Sequence, residues 1–201
     1  MSVPSDLQRM TTITDSVFAV SVTLLAYSVR VPQALIGKPI SLTELTPFLA
    51  DISALVLSFC IASLFWLSHR RDLQKLKEAT PRLIVTNLAF LLTLVLLPMS
   101  THLFSATALT STSAAIYSLN LFLAALARFA FRTQANALSM REKPARARTK
   151  LPEASASIFS IFIFGIALGA AFVNPRWSEL FWTLGFFTPL IERLVRRANQ
   201  A

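Results

Sequence analysis

"ITDSVFAVSVTLL", residues 13–25, is mostly an apolar run of the kind that crosses a bilayer, yet it opens with Thr14, Asp15 and Ser16 and carries Ser21 and Thr23 further in. A carboxylate inside a span costs about 2.5–3.5 kcal/mol at the bilayer centre even on the lenient insertion scale. Asp15 sits near one end of the run, which lowers the cost but still calls for a partner. At about 100° per residue, Ser16, Val20, Thr23 and Tyr27 fall on a narrow stripe with Ala19 at its flank. Asp15 lies roughly a quarter turn from that stripe, and Thr14, Ser21 and Ser28 face a different side. The helix therefore has two faces not made for lipid. For Ser21 and Thr23 two readings stand: hydroxyls bonded back to a carbonyl one turn earlier, or hydroxyls turned toward something other than lipid.

The rest of the chain supports a membrane setting. Of its 201 residues 54% are hydrophobic and 14% charged, with a mean hydropathy of +0.59; a soluble domain carries about 25% charge. Apolar runs at 13–29, 48–69, 83–104, 114–132, 155–173 and 177–191 predict six spans in a single all-α transmembrane domain over residues 1–201, with no internal repeat. A span needs roughly 20 residues. The first and last runs are short and polar-marked, as spans shielded by protein or lining water are. Sixteen Lys and Arg alternate onto one side of this arrangement and only Arg30, Lys38 and Arg176 onto the other. By the positive-inside rule both termini are cytoplasmic, in a multi-pass protein of the plasma membrane. The net charge of +9 is thus a topology signal. No aromatic residue interleaves with the basic 141–153 segment, which reads as a solvated linker facing anionic lipid rather than a nucleic-acid site.

Composition also narrows the chemistry. Cys60 is the only cysteine and lies in an apolar run, so no intrachain disulfide or thiolate metal site is expected, only a small buried residue. His69 and His102 end their spans at opposite faces, which argues against a haem or His-based metal centre. With four glycines, no G-x-S-x-G and no phosphate-cradling loop, an enzyme is not expected. "GIALG", 165–169, is a G-x-x-x-G pattern suited to close helix packing. Partners for Asp15 lie at its own end of the bundle: Arg9, then Trp66 and His69 closing the second span, and Asn87 one turn into the third. These residues form either one hydrogen-bonded knot or a set of unrelated interfacial anchors.

Read together, these residues resemble the transmembrane protein 175 family of potassium channels, in its bacterial single-repeat form. The family's R-x-x-x-F-S-D appears as Arg9 with Ile13-Thr14-Asp15, its W-x-x-H-H as Trp66 and His69 with Arg70 in the last place, and its N-L-x-F-L and L-L-P-F as "NLAFLL" from Asn87 and "LLPMS" from Leu96. "FVNP" at 172–175 is also similar. The resemblance implies a homotetramer in the lipid bilayer with the first helix of each subunit lining a central pore, and no carbonyl filter. Potassium and other monovalent cations are the implied permeant ions, with no cofactor. It implies a constriction at Val20 with Thr23 next to it, lined further by Ser16, Ala19 and Tyr27. Arg9, Thr14, Asp15, Trp66, His69 and Asn87 are implied to hold the pore helix. Two other classes remain open on the residues alone: a secondary transporter of a proton or small solute in which Asp15 titrates, and a non-conducting membrane scaffold in which Val20 and Thr23 only pack.

Overall fold

The computed structural model describes residues 5–30, 42–107, 110–141 and 154–188, and all regular structure among them is helical. Helix α1 (Asp6–Leu24) runs into a 3-10 turn (Leu25–Ser28). Then follow α2 (Leu42–Leu73), α3 (Pro81–Ala106), α4 (Ser111–Arg141), α5 (Ala154–Val173) and α6 (Pro175–Leu184), the last continuing into a second 3-10 turn (Gly185–Phe187).

Local chemistry sets the boundaries. Ser5 caps α1 by accepting from the Gln8 amide at 3.2 Å, and Asp6 follows in the first turn, where the helix dipole favours a negative charge. The Thr80 hydroxyl accepts from the Leu83 amide at 3.4 Å, and Pro81 takes the first position of α3, where its missing N–H is not needed. In "FVNP" the Asn174 side chain accepts from the Arg176 amide at 3.0 Å and Pro175 begins α6, so one helix stops and the next starts without a loop.

Side-chain bonds fix an up-down order. The start of α1, the end of α2, the start of α3, the end of α4 and the start of α5 gather at one end, through Thr14, His69, Asn87, Arg132 and Ser157. At the other end Arg30, after α1, reaches Asp51 near the start of α2 and the Ser105 carbonyl near the end of α3. The Ser58 hydroxyl joins Thr101 at 2.8 Å and Tyr117 at 2.9 Å, and Trp182 donates to Ser118 at 2.9 Å. Buried Ala114, Ala124, Ala125, Ala167 and Ala171 let the backbones approach, and α4 packs against both α3 and α5. α6 folds back along α5: Ser178 donates to the Ala167 carbonyl at 2.9 Å. A Cβ on Gly185 would meet the Phe164 ring at 3.1 Å, closer than ordinary contact, so any larger residue there must push that ring aside by a few tenths of an ångström.

Four helical segments are long and apolar enough to cross a membrane: Asp6–Ser28, Leu45–Leu73, Pro81–Ala106 and Ser111–Met140. The apolar part of α5, Ser157–Val173, is shorter, and α6 has ten residues, about 15 Å of helix against roughly 30 Å of hydrocarbon. The expected last span ends at 191, and residues 189–191 lie outside the described residues, as do Lys38, the 142–153 linker and the C-terminal arginines.

Three sequence readings change. Gly165 faces Phe122 at 3.4 Å while Gly169 meets nothing within 4 Å, so among the described residues only one glycine of the G-x-x-x-G pattern serves packing. Cys60 is only partly buried. Arg128 and Arg132, counted from the sequence as flanking charges, are 3% and 1% exposed. Arg132 Nε donates to the Asp72 carboxylate at 2.9 Å, Arg128 stands 3.7 Å from it, and Lys75 donates to its other oxygen at 3.2 Å. Both arginines also donate to Ser157 of α5 and to Ser68 of α2. A buried carboxylate shared in this way ties α2, α4 and α5, and breaking such a pair by removing one partner costs about 3–5 kcal/mol. Asp72→Asn is therefore expected to lower the thermal unfolding midpoint of the detergent-solubilised protein sharply. Lys75→Ala, which removes a partly exposed cation, is expected to leave it nearly unchanged.

Candidate functional site

The two faces of α1 differ in the folded chain. Met10, Thr14 and Ser21, with Leu25 and Ser28 of the following turn, are buried against the bundle. Ser16, Ala19, Val20, Thr23 and Tyr27 are exposed, Val20 at 58% and Tyr27 at 79%, and together they form one continuous stripe along the helix. The Thr23 hydroxyl donates to the Ala19 carbonyl at 2.8 Å. That is the back-bonded geometry, yet it does not close the other reading. A hydroxyl has one proton and two lone pairs; here the proton is spent on the backbone and the oxygen remains an acceptor on the exposed stripe.

On the buried side Thr14, Asn87 and His69 form a chain of bonds across three helices. Asn87 Nδ2 donates to Thr14 Oγ1 at 3.0 Å, and Thr14 Oγ1 donates to the Met10 carbonyl at 2.8 Å. Asn87 Oδ1 lies 2.9 Å from His69 Nε2. Using each proton once makes Nε2 the protonated nitrogen of His69, because the amide oxygen facing it can only accept. His69 Nδ1 has no hydrogen-bond partner among the described residues. The imidazole is fully buried between Phe90 and Phe131, whose ring centroids stand 4.6 and 4.2 Å away. All three members of the chain are essentially inaccessible.

Asp15 sits beside this chain on the exposed side and takes a different partner: Trp66 Nε1 donates to its carboxylate at 3.0 Å. Phe18, three residues along α1, stacks on the Trp66 ring at 5.4 Å, and the Arg70 guanidinium lies 5.3 Å from the indole centroid. Five of the six residues expected in the knot thus meet in two adjacent clusters. Arg9 does not: it is exposed, and among the described residues its side chain bonds to neither cluster. The carboxylate is held by an indole instead. The charged cluster at Asp72 escaped the sequence reading, although "HRRD" at 69–72 and the four-residue spacing of Arg128 and Arg132 were visible there.

Residues 9–98 match the family model described as endosomal/lysosomal potassium channel TMEM175. A curated potassium channel of Chryseobacterium sp. (strain P1-3) is 26% identical over 119 residues, which is 59% of this chain and 59% of that protein. The chain thus matches well under two thirds of that relative's length. A solved structure, of a lysosomal potassium-selective channel TMEM175 homolog from Chamaesiphon minutus, aligns with a TM-score of 0.75 at 18% identity, covering 93% of this chain and 98% of that one. The fold is shared nearly end to end, and the family resemblance read from the sequence is borne out. The matching family and the solved neighbour are ion channels and not enzymes.

Asn87→Ala is expected to destabilise the protein by about 2 kcal/mol, because it strands the His69 and Thr14 groups in a dry interior. Asp15→Asn keeps an acceptor oxygen at an exposed site and is expected to cost clearly less; thermal unfolding of the two variants in one detergent makes the comparison.

Proposed function

Taking α1 to α3 as TMEM175-family helices, we propose that this chain is a potassium-preferring cation channel: a homotetramer of six-span subunits in the plasma membrane, with cytoplasmic termini and a central pore lined by α1. The reading rests on one observation above all, the exposed stripe of Ser16, Ala19, Val20, Thr23 and Tyr27 on a helix whose opposite face is buried. Hydroxyls and a tyrosine on the outer face of a bilayer-crossing helix are poorly matched to lipid and well matched to a shared aqueous axis.

In this reading Val20 forms the constriction. An apolar ring makes an ion shed part of its water without full replacement, and potassium gives up water more readily than sodium. A preference for potassium then needs no carbonyl cage. Four Thr23 hydroxyls, one per subunit, would offer lone pairs to the partly stripped ion, and the bond of each to the Ala19 carbonyl orients them. Valine is smaller than the isoleucine or leucine typical of this position in the family, so the constriction is slightly wide and the selectivity weak. The Thr14–Asn87–His69 chain and the Trp66–Asp15 bond hold α1 at a fixed rotation, which keeps the stripe on the axis.

The test is passive potassium and sodium flux into liposomes carrying the purified protein. Wild type is expected to conduct both ions with potassium ahead, Val20→Ala to bring the ratio closer to one, and Thr23→Ala to reduce potassium flux more than sodium flux. Saturable, pH-dependent flux abolished by Asp15→Asn would favour a transporter instead. A folded protein without flux would favour a scaffold.

A further inference from the structure

A cavity of about 220 Å³ opens in the wall made by α2, α4, α5 and the turn after α6, with no α1 residue in its lining. Its lining changes character along α2. Ile61, Leu64, Phe65 and Leu67 come first, then Ser68, then Arg71. Ten residues of helix separate Ile61 from Arg71, about 15 Å. Phe164 and Gly185 close the apolar part; Arg128, Ser160 and Thr188 add polar groups. Ser160 and Thr188 stand 3.3 Å apart, and Arg128 donates to Ser157, one turn before Ser160. Two guanidiniums line the cavity: Arg128, which also stands 3.7 Å from the buried Asp72 carboxylate, and the exposed Arg71.

We propose that this cavity binds an anionic phospholipid, with part of one acyl chain along the Ile61–Leu67 stretch and the phosphate at Arg71, beside Arg128. Three features carry the assignment. The volume is below the roughly 300 Å³ at which pockets for drug-sized ligands begin, room for a segment of one chain rather than for a folded solute. The apolar length gives a free anion nothing to fill. The guanidiniums at one end match the planar, multi-oxygen geometry of a phosphate, and basic pockets between membrane helices hold anionic headgroups. Arg128 already donates to Ser68 of α2 and Ser157 of α5, so the headgroup would join the contact that ties those helices to α4. The proposal rests on the membrane reading of the chain and not on ion conduction.

The experiment is native mass spectrometry and thermal unfolding of the delipidated full chain in a non-ionic detergent, with phosphatidylglycerol, phosphatidylcholine or inorganic phosphate added. Retention of phosphatidylglycerol with a raised unfolding midpoint is expected, and neither effect from the other two probes. Arg71→Gln should weaken retention about fivefold, the effect of one basic side chain near an anionic lipid. Leu64→Trp, which fills the apolar end, should abolish it with helical content unchanged. Equal retention of phosphatidylcholine, the same shift from inorganic phosphate alone, or wild-type retention by both variants would overturn the proposal. If Leu64→Trp does not fold, Arg71→Gln decides, since its side chain is exposed. None of these readouts involves flux, so a failure here is separate from a failure of the channel reading.

Discussion

Asn87 belongs to α3, yet it is what sets α1 against α2. Its amide gives a proton to Thr14 and its carbonyl receives one from His69, in a place water does not reach. A buried polar chain of this kind contributes little net stability when complete and costs heavily when one link is lost. Its effect is on geometry. Apolar packing alone lets a helix rotate among near-equivalent settings, whereas a donor and an acceptor on one side chain accept only one. Since Thr14 faces the bundle, Val20 and Thr23 face away from it, and the stripe cannot turn inward without breaking the Asn87–Thr14 and Trp66–Asp15 bonds.

The same economy recurs along the bundle. Ser58, Thr101 and Tyr117 join α2, α3 and α4; Ser100 accepts from Asn120; Trp182 donates to Ser118; Asp72 gathers two arginines and a lysine. A polar side chain inside such a bundle is costly unless it finds a partner on another helix or in a back-bond. Layers of such contacts give a largely apolar chain a defined register, which lipid-like side chains with no hydrophobic drive toward one another do not specify.

Much of this was legible. Helical periodicity separated Thr14, Ser21 and Ser28 from the stripe, and the fold buries the first set and exposes the second, because 100° per residue is a property of the backbone that packing does not alter. Asp15 was readable as needing a partner, and Trp66 as lying at its level. That an indole rather than Arg9 would take the carboxylate was not readable, since it depends on how α2 rotates. Arg128 and Arg132 misled for a related reason: a charge at the end of a span reads as a flank, and only the contact with Asp72, sixty residues away, turns it into interior. The G-x-x-x-G pattern was half right because one glycine meets Phe122 and the other no neighbour among the described residues. The number of spans is least secured by pattern alone, as α6 runs only ten residues.

The junction at Asn174–Pro175 has a bearing on how the chain assembles. α5 and α6 meet without a loop, and their first mutual tie, Ser178 to Ala167, spans eleven residues. Contacts so close in sequence close at small entropic cost and form early. The pairing of α5 with α6 is thus local in sequence. By contrast, the Asp72–Arg132 and Thr14–Asn87 ties close loops of sixty and seventy-three residues. The contacts that orient α1 are thus long-range ones, made only once α2 and α3 stand beside it.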